Sequence, residues 1–432
     1  MRYDSVLDMI GDTPLLRLDP AVHGVPDAQI LLKLESANPF GSVKDRVAWA
    51  LLRDHIGEIA EEGRVVLEAS SGNTAKALQI IASMHGVGFR AFTNRVRVRE
   101  VREMLTLLGT DVTEMPGLSE CPDPTAPNDV FGVIGDLMDG EPGRYHHTSQ
   151  YTNEDNLRAH YEQTGREIYR DVGPVDLLVG GLGTTGSTRG AATYLRERNP
   201  QTAVVGVVAA EGDFIPGIRS AAEMWEVGLF EPGFYDAITV VDSADAIVAS
   251  LELATRHGVL AGPTTGAAYA ATRERLLSES VAGSRRDGPV TAVVIACDRM
   301  EPYLSYFRHR RPDLFGAASD PATAEAAPMA APEDVEAWIA AGEHVVVVDV
   351  RTALAFRAGH IPGAINLRDD LLEQILEAGM PFSEASRVVF ACPTGDRSAR
   401  FAARAAATGR QAYNLAGGVL GWRDSGRPLA GV

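Results

Sequence analysis

Short runs of β-branched residues alternate with longer amphipathic segments from the N-terminus to about residue 315. The pattern predicts buried strands at 65–69, 175–179, 203–208 and 290–295, and a helix at 74–85. Strands that alternate with helices in this way form a largely parallel sheet with helices on both faces. The sequence therefore predicts an α/β fold.

The composition changes after residue 316. Residues 317–332 are rich in alanine and proline and lack apolar periodicity, which is typical of a linker. Strands at 345–349 and 388–391 and a helix at 399–408 are predicted beyond it, in a unit of ordinary domain size. We therefore predict a large domain over 1–316, a linker over 317–332 and a small α/β domain over 333–432.

The composition also limits the partners and the cellular setting. A net charge of −18 disfavours binding to nucleic acid or to an anionic membrane surface. No apolar run approaches the length of a membrane helix, and no signal-peptide pattern follows Met1. The three cysteines are far apart, which predicts neither disulfides nor a metal site and favours a reducing, cytoplasmic location.

Three polar segments of the large domain carry the groups that pyridoxal phosphate (PLP) chemistry requires. Lys44 offers an amine for a Schiff base, and Ser70–Thr74 offers hydroxyls and amides for an amino-acid carboxylate. Gly180–Ser187 offers a glycine- and threonine-rich loop for a phosphate. Each segment alone is a weak signal, but their occurrence together and in this order is specific.

Residues from Tyr3 to about Phe315 resemble the cysteine synthase family, which includes O-acetylserine sulfhydrylase, O-phosphoserine sulfhydrylase and cystathionine β-synthase. The matching motifs are GDTPL at 11–15, NPFGSVKDR at 38–46, SGNT at 71–74, LLGTDV at 107–112, QYTN at 150–153, GTTGS at 183–187 and GPTTGAA at 262–268. The resemblance implies a fold-type II PLP enzyme with two mostly parallel subdomains, an amino-acid substrate and a homodimeric state.

The resemblance also implies roles for individual residues around the cofactor. Lys44 would hold PLP and take the α-proton of the substrate, and Asn73 would contact the phenolic oxygen of PLP. Thr264, or its neighbour Thr265, would face the pyridine nitrogen, where a hydroxyl favours β-elimination over transamination. The phosphate would be held by the loop residues Gly183, Thr184, Thr185, Gly186 and Ser187.

Further residues are implied to bind the substrate. The carboxylate would be held by Ser70, Ser71, Thr74 and Gln150. For the two serines, helix capping is the alternative. Arg219 lies in a segment that matches the family only loosely, and it could pair with an anionic leaving group such as phosphate or form a surface salt bridge. The leaving group and the nucleophile therefore stay open.

The small domain resembles a single-domain rhodanese. The resemblance is carried by VDVR at 348–351, FRAGHIPGAINL at 356–367 and AGGVLGW at 416–422. Cys392 lies between a predicted strand and helix, so loop N–H groups, with Arg397 nearby, would stabilise a thiolate or persulfide. Only four residues separate this cysteine from Arg397, which suits sulfur transfer better than phosphate chemistry. Cys121 and Cys297 lack such surroundings and are expected to be inert.

Together these features predict a bifunctional enzyme that makes L-cysteine from O-acetylserine or O-phosphoserine. A persulfide on Cys392 would supply the sulfur, and a sulfur-carrier protein is a candidate partner. Two alternatives keep the PLP chemistry with another nucleophile: an amine would give 2,3-diaminopropionate, and homocysteine would give cystathionine. A third alternative makes the small domain a docking or sulfur-sensing module.

Overall fold

The structure is a computed structural model of the full chain, and it describes residues 2–70, 72–93, 98–114, 130–281, 288–315, 328–379 and 381–431. The chain forms two compact units, Met1–Arg310 and Arg311–Val432. Most of the predicted linker lies outside the described residues. Met329–Ala330, within the predicted linker, is an edge strand of the second unit, so the sheet begins before residue 333.

The strands of the first unit are short, and most of them are buried. They are β1 (Leu15–Arg17), β2 (Ala28–Leu34), β3 (Val65–Ala69), β4 (Phe89–Thr93), β5 (Asp111–Glu114), β6 (Tyr145–His147), β7 (Leu177–Gly181), β8 (Ala203–Ala209), β9 (Ala237–Val241) and β10 (Val290–Ala296). They form a six-stranded sheet in the order β1-β2-β10-β7-β8-β9 and a four-stranded sheet in the order β5-β4-β3-β6. Only β1 pairs antiparallel among these described strands.

Helices connect these strands. They are α1 (Pro20–His23), α2 (Lys44–Leu52), α3 (Ile56–Glu61), α4 (Asn73–Met84), α5 (Arg99–Leu107), α6 (Val130–Gly140), α7 (Asp155–Ala159), α8 (Arg166–Val172), α9 (Gly186–Arg196), α10 (Ser243–His257), α11 (Pro263–Val281) and α12 (Leu304–Arg310). Apolar side chains pack on both faces of the six-stranded sheet. The predicted mixed α/β architecture with mostly parallel sheets is confirmed.

One strand differs from its predicted position. The predicted strand at 175–179 is β7 at Leu177–Gly181, which runs through two glycines that resemble a turn in the sequence. A Cβ on Gly180 would lie 2.6 Å from Thr188 Cγ2, and one on Gly181 would lie 2.4 Å from Ile218 Cγ2. The glycines therefore allow close packing on a strand, and the turn begins after them.

The second unit has one parallel sheet in the order β11-β15-β14-β12-β13. Its strands are β11 (Met329–Ala330), β12 (Val345–Asp349), β13 (Ile365–Asn366), β14 (Arg387–Ala391) and β15 (Gln411–Leu415). Its helices are α13 (Pro332–Ala340), α14 (Ala353–Ala358), α15 (Asp369–Ala378), α16 (Ala399–Ala407) and α17 (Gly418–Asp424). Across both units, the described part of the chain contains no helix with the length and hydropathy to cross a membrane.

Candidate active site

The carboxyl ends of parallel strands bring most of the predicted site residues of the first unit into one cavity; Gly186 is not among the residues that line it. Loops at these ends follow β3, β7 and β10, where a parallel α/β sheet usually binds its ligand. The cavity has a volume of about 300 Å³. The predicted residues that line it are Lys44, Ser70, Asn73, Thr74, Gln150, Gly183, Thr184, Thr185, Ser187, Arg219 and Thr264. Ser71 lies outside the described residues.

Lys44 is the first residue of α2, and its side chain enters the cavity. Its Nζ donates a hydrogen bond to Thr184 Oγ1 at 3.0 Å. Burial lowers the pKa of Lys44 to about 8, because the charged ammonium loses solvation there. A useful fraction of neutral amine is therefore present near neutral pH, as both a nucleophile and a base require.

A buried ion network holds the start of α2 in place. Arg46 is enclosed, with Nε 2.7 Å from Glu35 Oε2 and Nη1 2.6 Å from Glu167 Oε1. Lys33 Nζ lies 2.7 Å from Glu167 Oε2, so two cations balance two carboxylates. Removing one member of such a network leaves an uncompensated buried charge. The network therefore fixes the helix turn from which Lys44 projects.

The loop after β7 has the features of a phosphate site. Thr185 adopts a left-handed conformation with φ of +66°, and α9 begins at the next residue, Gly186. A Cβ on Gly183 would lie 2.8 Å from Gly217 O, so only glycine allows the backbone this close approach. The loop N–H groups and the helix N-terminus favour an anion at this position.

Asn156 was missed by the sequence interpretation, and it connects two of the predicted loops. Its Nδ2 donates to Thr184 Oγ1 at 2.9 Å and to Gln150 O at 2.8 Å. A Cβ on Gly186 would lie 2.0 Å from Asn156 Oδ1, which explains the glycine at this position. The only sequence signal was its place three residues after Asn153, in the segment that follows QYTN.

The loop after β3 combines helix capping with contacts between its polar side chains. Ser70 Oγ accepts from Ala75 N at 3.2 Å, so the capping alternative describes its main contact in this structure. Thr74 Oγ1 donates to Gln150 Oε1 at 2.8 Å, and Gln150 Nε2 donates to Ala69 O at 3.0 Å. Behind them, the buried carboxylate of Glu68 accepts from Gln150 N at 3.0 Å. These bonds therefore connect Thr74, at the start of α4, to Gln150 and to the end of β3.

Asn73 faces a buried acidic residue that the sequence interpretation did not single out. Its Nδ2 donates to Asp298 Oδ2 at 2.6 Å and to Tyr303 Oη at 3.2 Å. Tyr303 Oη also donates to Asp298 Oδ2, and burial raises the pKa of this carboxyl to about 6. The contact of Asn73 with the phenolic oxygen of PLP stays a prediction. The place of Asp298 just after a parallel strand was the signal that could have identified it.

The two adjacent threonines at the start of α11 have different surroundings. Thr264 lines the cavity and donates to Pro216 O at 2.6 Å, whereas Thr265 Oγ1 accepts from Cys297 N at 3.0 Å. Of the pair, Thr264 is therefore placed to meet a ligand. Cys297 also lines the cavity, and burial raises the pKa of its thiol, so it stays protonated and a poor nucleophile. Cys121 lies outside the described residues.

Arg219 lines the same cavity. Its guanidinium lies over the ring of Tyr151, with Cζ 5.2 Å from the ring centroid. This cation–π contact holds the charge at the cavity wall. The position is consistent with the predicted contact to an anionic leaving group, which stays a prediction.

In the second unit, Cys392 follows β14 directly, and its thiol is buried. Gly395 N donates to Cys392 Sγ at 3.2 Å. Burial raises the pKa of this thiol, but hydrogen bonds from Ser398, Thr394 and Gly395 outweigh it and bring the pKa below its ordinary value. These hydrogen bonds favour the thiolate over the thiol, and the role of Cys392 in sulfur transfer stays a prediction.

Arg397 lies near an acidic residue of another part of the second unit. Its guanidinium is more than half exposed, and Nη1 lies 3.8 Å from Asp369 Oδ2. The largest influences that lower the pKa of Cys392 are hydrogen bonds from Ser398, Thr394 and Gly395. Its described partner, Asp369, lies in the first turn of α15, and the predicted electrostatic effect of Arg397 on the thiol stays a prediction.

The arrangement of the residues that line the cavity of the first unit fits PLP. A lysine amine, a phosphate loop at a helix N-terminus and a polar loop for a carboxylate share one cavity, and tightly packed glycines shape its wall. The described residues contain no group of three or more His, Cys, Asp or Glu side chains that could hold a metal ion. Fold and site together define a fold-type II PLP-dependent enzyme joined to a rhodanese-like domain.

Comparison with protein families gives the same result. Residues 6–298 match the family described as pyridoxal-phosphate dependent enzyme, and residues 331–425 match the rhodanese-like domain. The chain belongs to the pyridoxal-phosphate dependent enzyme family, with a C-terminal rhodanese-like domain.

Individual relatives show which members of the family this chain is similar to. Cysteine synthase B of Pseudomonas aeruginosa is 32% identical over 310 residues, which cover 71% of this chain and 97% of that protein. Cysteine synthase B of Escherichia coli is 34% identical, over 68% of this chain and 93% of that protein. O-acetylserine sulfhydrylase isoform 3 from Entamoeba histolytica has a solved structure with a TM-score of 0.61 and 27% identity, covering 72% of this chain and 92% of that one.

Proposed function

We propose that this enzyme forms L-cysteine by β-replacement on an activated L-serine, with sulfur that comes from Cys392. The observation that carries the proposal is the single cavity in which Lys44, the Thr74–Gln150 pair and the Gly183–Ser187 loop meet. The cysteine synthase B relatives, matched over most of their own length, support the same reaction.

Different residues of the cavity have different roles in the proposed reaction. PLP, when bound through Lys44 with its phosphate on the 183–187 loop, supplies the electron sink for the α-carbon. The N-terminus of α4, with Thr74 and Gln150, binds the substrate carboxylate and orients the α-hydrogen towards Lys44. The Lys44 amine, which would be released when the amino group of the substrate takes its place, would take the α-proton; the β-substituent would leave, and a sulfur nucleophile would add at the β-carbon. Lys44 then returns the proton to the α-carbon.

We propose that the leaving group of the substrate contacts Arg219. Its guanidinium is held at the cavity wall over Tyr151, where it can contact the oxygens of a phosphate bidentately. We therefore propose that O-phosphoserine is used in preference to O-acetylserine. Substitution R219A is expected to lower kcat/KM for O-phosphoserine about tenfold or more, with a much smaller effect on O-acetylserine. An unchanged preference between the two substrates would remove this role.

The second unit is proposed to supply the sulfur. The Cys392 thiolate attacks the outer sulfur of a donor, the donor's sulfur bond breaks, and a persulfide remains on Cys392. Two equivalents of a small thiol then release that sulfur as sulfide, forming one disulfide and restoring the Cys392 thiol. Because both domains belong to one chain, the local concentration of the product near its site of use would be raised.

The experiment supplies purified holoenzyme with O-phosphoserine or O-acetylserine, a sulfane-sulfur donor and a thiol, and measures amino-acid products by mass spectrometry. Wild type is expected to give cysteine, C392S only when sulfide is added, and K44A none. Competing homocysteine and ammonia test the alternatives: cystathionine or 2,3-diaminopropionate as the main product would overturn the proposed nucleophile. Equal rates of wild type and C392S with the sulfane donor would leave the second unit as a docking or sensing module.

The assembly and location are also proposals. The resemblance to cysteine synthases implies a homodimer, and a cytoplasmic location suits the free thiols Cys297 and Cys392. A sulfur-carrier protein remains a candidate partner of Cys392. Light scattering on the purified protein tests the dimer, and a mass equal to one chain would exclude it.

A further inference from the structure

Thr185, in the proposed phosphate loop, has a backbone conformation that its side chain disfavours. Its φ is +66°, in the left-handed region. This region is uncommon outside glycine, and a β-branched residue there is a clear outlier. Among the described residues, the non-glycine residues with positive φ are Asp12, Ser149 and Thr185, and only Thr185 is β-branched. Such a conformation persists when the contacts around it hold it in place.

The hydroxyl of Thr185 makes a contact of this kind. Thr185 is buried, and its Oγ1 donates to Leu229 O at 3.1 Å. A hydroxyl has one proton to donate, whereas a phosphate dianion can only accept hydrogen bonds. Because the proton is donated to Leu229 O, the hydroxyl has none left for a phosphate in this arrangement. Thr185 also lines the cavity, so its contribution to an anion would come from its backbone N–H.

The carbonyl of Leu229 is itself held by other parts of the first unit. Leu229 N donates to Tyr151 O at 2.9 Å. Arg189 Nη1 also donates to Leu229 O, and Arg189 Nη2 pairs with Glu231 Oε1 at 2.6 Å. A shift of this carbonyl away from the phosphate loop would therefore disturb several contacts. Its position is set by more than the bond from the loop.

We propose that Thr185 is a positioning residue for the phosphate of the cofactor: its hydroxyl holds the left-handed turn through Leu229 O, and the turn presents backbone N–H groups to the phosphate. The inference rests on the proposed placement of the PLP phosphate on the 183–187 loop. Without the hydrogen bond, a residue with a Cβ favours negative φ, so the fraction of protein in the binding conformation falls. Glycine adopts positive φ readily and needs no such bond.

The test titrates the full-length apo-protein with PLP and with pyridoxal, which lacks the phosphate, and follows protein fluorescence. T185V keeps the branched shape without the hydroxyl, and it should bind PLP about tenfold more weakly with unchanged affinity for pyridoxal. T185S, which keeps the hydroxyl, and T185G, which needs none, should recover most of that loss. T202V is the matched control, because Thr202 is buried and donates to Val175 O at 2.7 Å but is not among the residues with positive φ.

The comparison of T185V with T185G separates a backbone role from a direct contact. A PLP affinity of T185G as low as that of T185V would assign the hydroxyl to the phosphate and overturn the positioning role. Equal PLP affinities of T185V and T202V would overturn it too. T185A also lacks the hydroxyl and keeps a Cβ, so it replaces T185V in both comparisons if T185V does not fold. Equal affinities of wild type for PLP and pyridoxal would instead overturn the proposed phosphate site on the 183–187 loop.

Discussion

Lys44 Nζ donates to Thr184 Oγ1 across 140 positions of sequence, at a distance of 3.0 Å. The contact joins the amine that would hold PLP to the loop that would hold its phosphate. Because Asn156 also donates to Thr184 Oγ1, this hydroxyl fixes the loop from two sides. The fold therefore sets the distance between the amine and the phosphate loop.

Replacing Thr184 by valine keeps its shape and removes this hydroxyl. The amine and the amide of Asn156 lose their shared partner, so T184V should bind PLP about tenfold more weakly. Fluorescence titration of the apo-protein with PLP measures the effect. The control T193V removes an exposed hydroxyl that contacts Arg189 O. Equal affinity of T184V and T193V for PLP would contradict the role of Thr184.

The buried network around Arg46 should dominate the stability of the first unit. In E35Q the guanidinium loses a carboxylate that is fully enclosed, which should lower the free energy of unfolding by about 3–5 kcal/mol. Glu58 also pairs with an arginine, Arg64, but lies at the surface, so E58Q should cost less than about 1 kcal/mol. Urea unfolding of both variants checks the difference, and similar losses would contradict it.

The same network predicts a loss of stability in acid. Burial alone would raise the pKa of Glu167, but Arg46 and Lys33 bring the pKa down to about 2. The carboxylate therefore favours the folded state above its unfolded pKa of about 4.5, and this contribution, roughly 3 kcal/mol, is lost as the pH falls towards 2. Urea midpoints measured from pH 5 to pH 3 should fall more steeply for wild type than for E167Q. If the urea midpoints of wild type and E167Q fell equally steeply with pH, Glu167 would be excluded as a cause of the loss of stability in acid.

The thiolate of Cys392 should depend on the backbone at Gly395. This residue has φ of +98°, and a Cβ would lie 3.1 Å from Leu415 O, so G395A should displace the N–H that reaches the sulfur. The pKa of Cys392, read from the pH dependence of iodoacetamide alkylation, should rise in G395A. Gly409 also has a positive φ but nothing near its Cβ position, so G409A should leave that pKa unchanged. A pKa in G395A equal to that of wild type would contradict the role of the loop N–H.

The sequence could predict which loops form the site, because their motifs follow recognisable strands whose carboxyl ends meet in a parallel sheet. It could not predict the side chains that connect these loops. Asn73 and Asp298 are 225 positions apart, and no periodicity relates them. The approach of the Arg397 side chain to Asp369 was likewise unpredictable, because Asp369 lies in α15, 28 positions earlier in the sequence.

The account depends most directly on the covalent attachment of the cofactor to Lys44. Borohydride reduction of the purified holoenzyme, followed by proteolysis and mass spectrometry, measures where the pyridoxyl group is fixed. We predict a single stable label on the peptide that contains Lys44, and none in K44A. A label on another lysine, or no label on an enzyme that still forms cysteine, would contradict the assigned site.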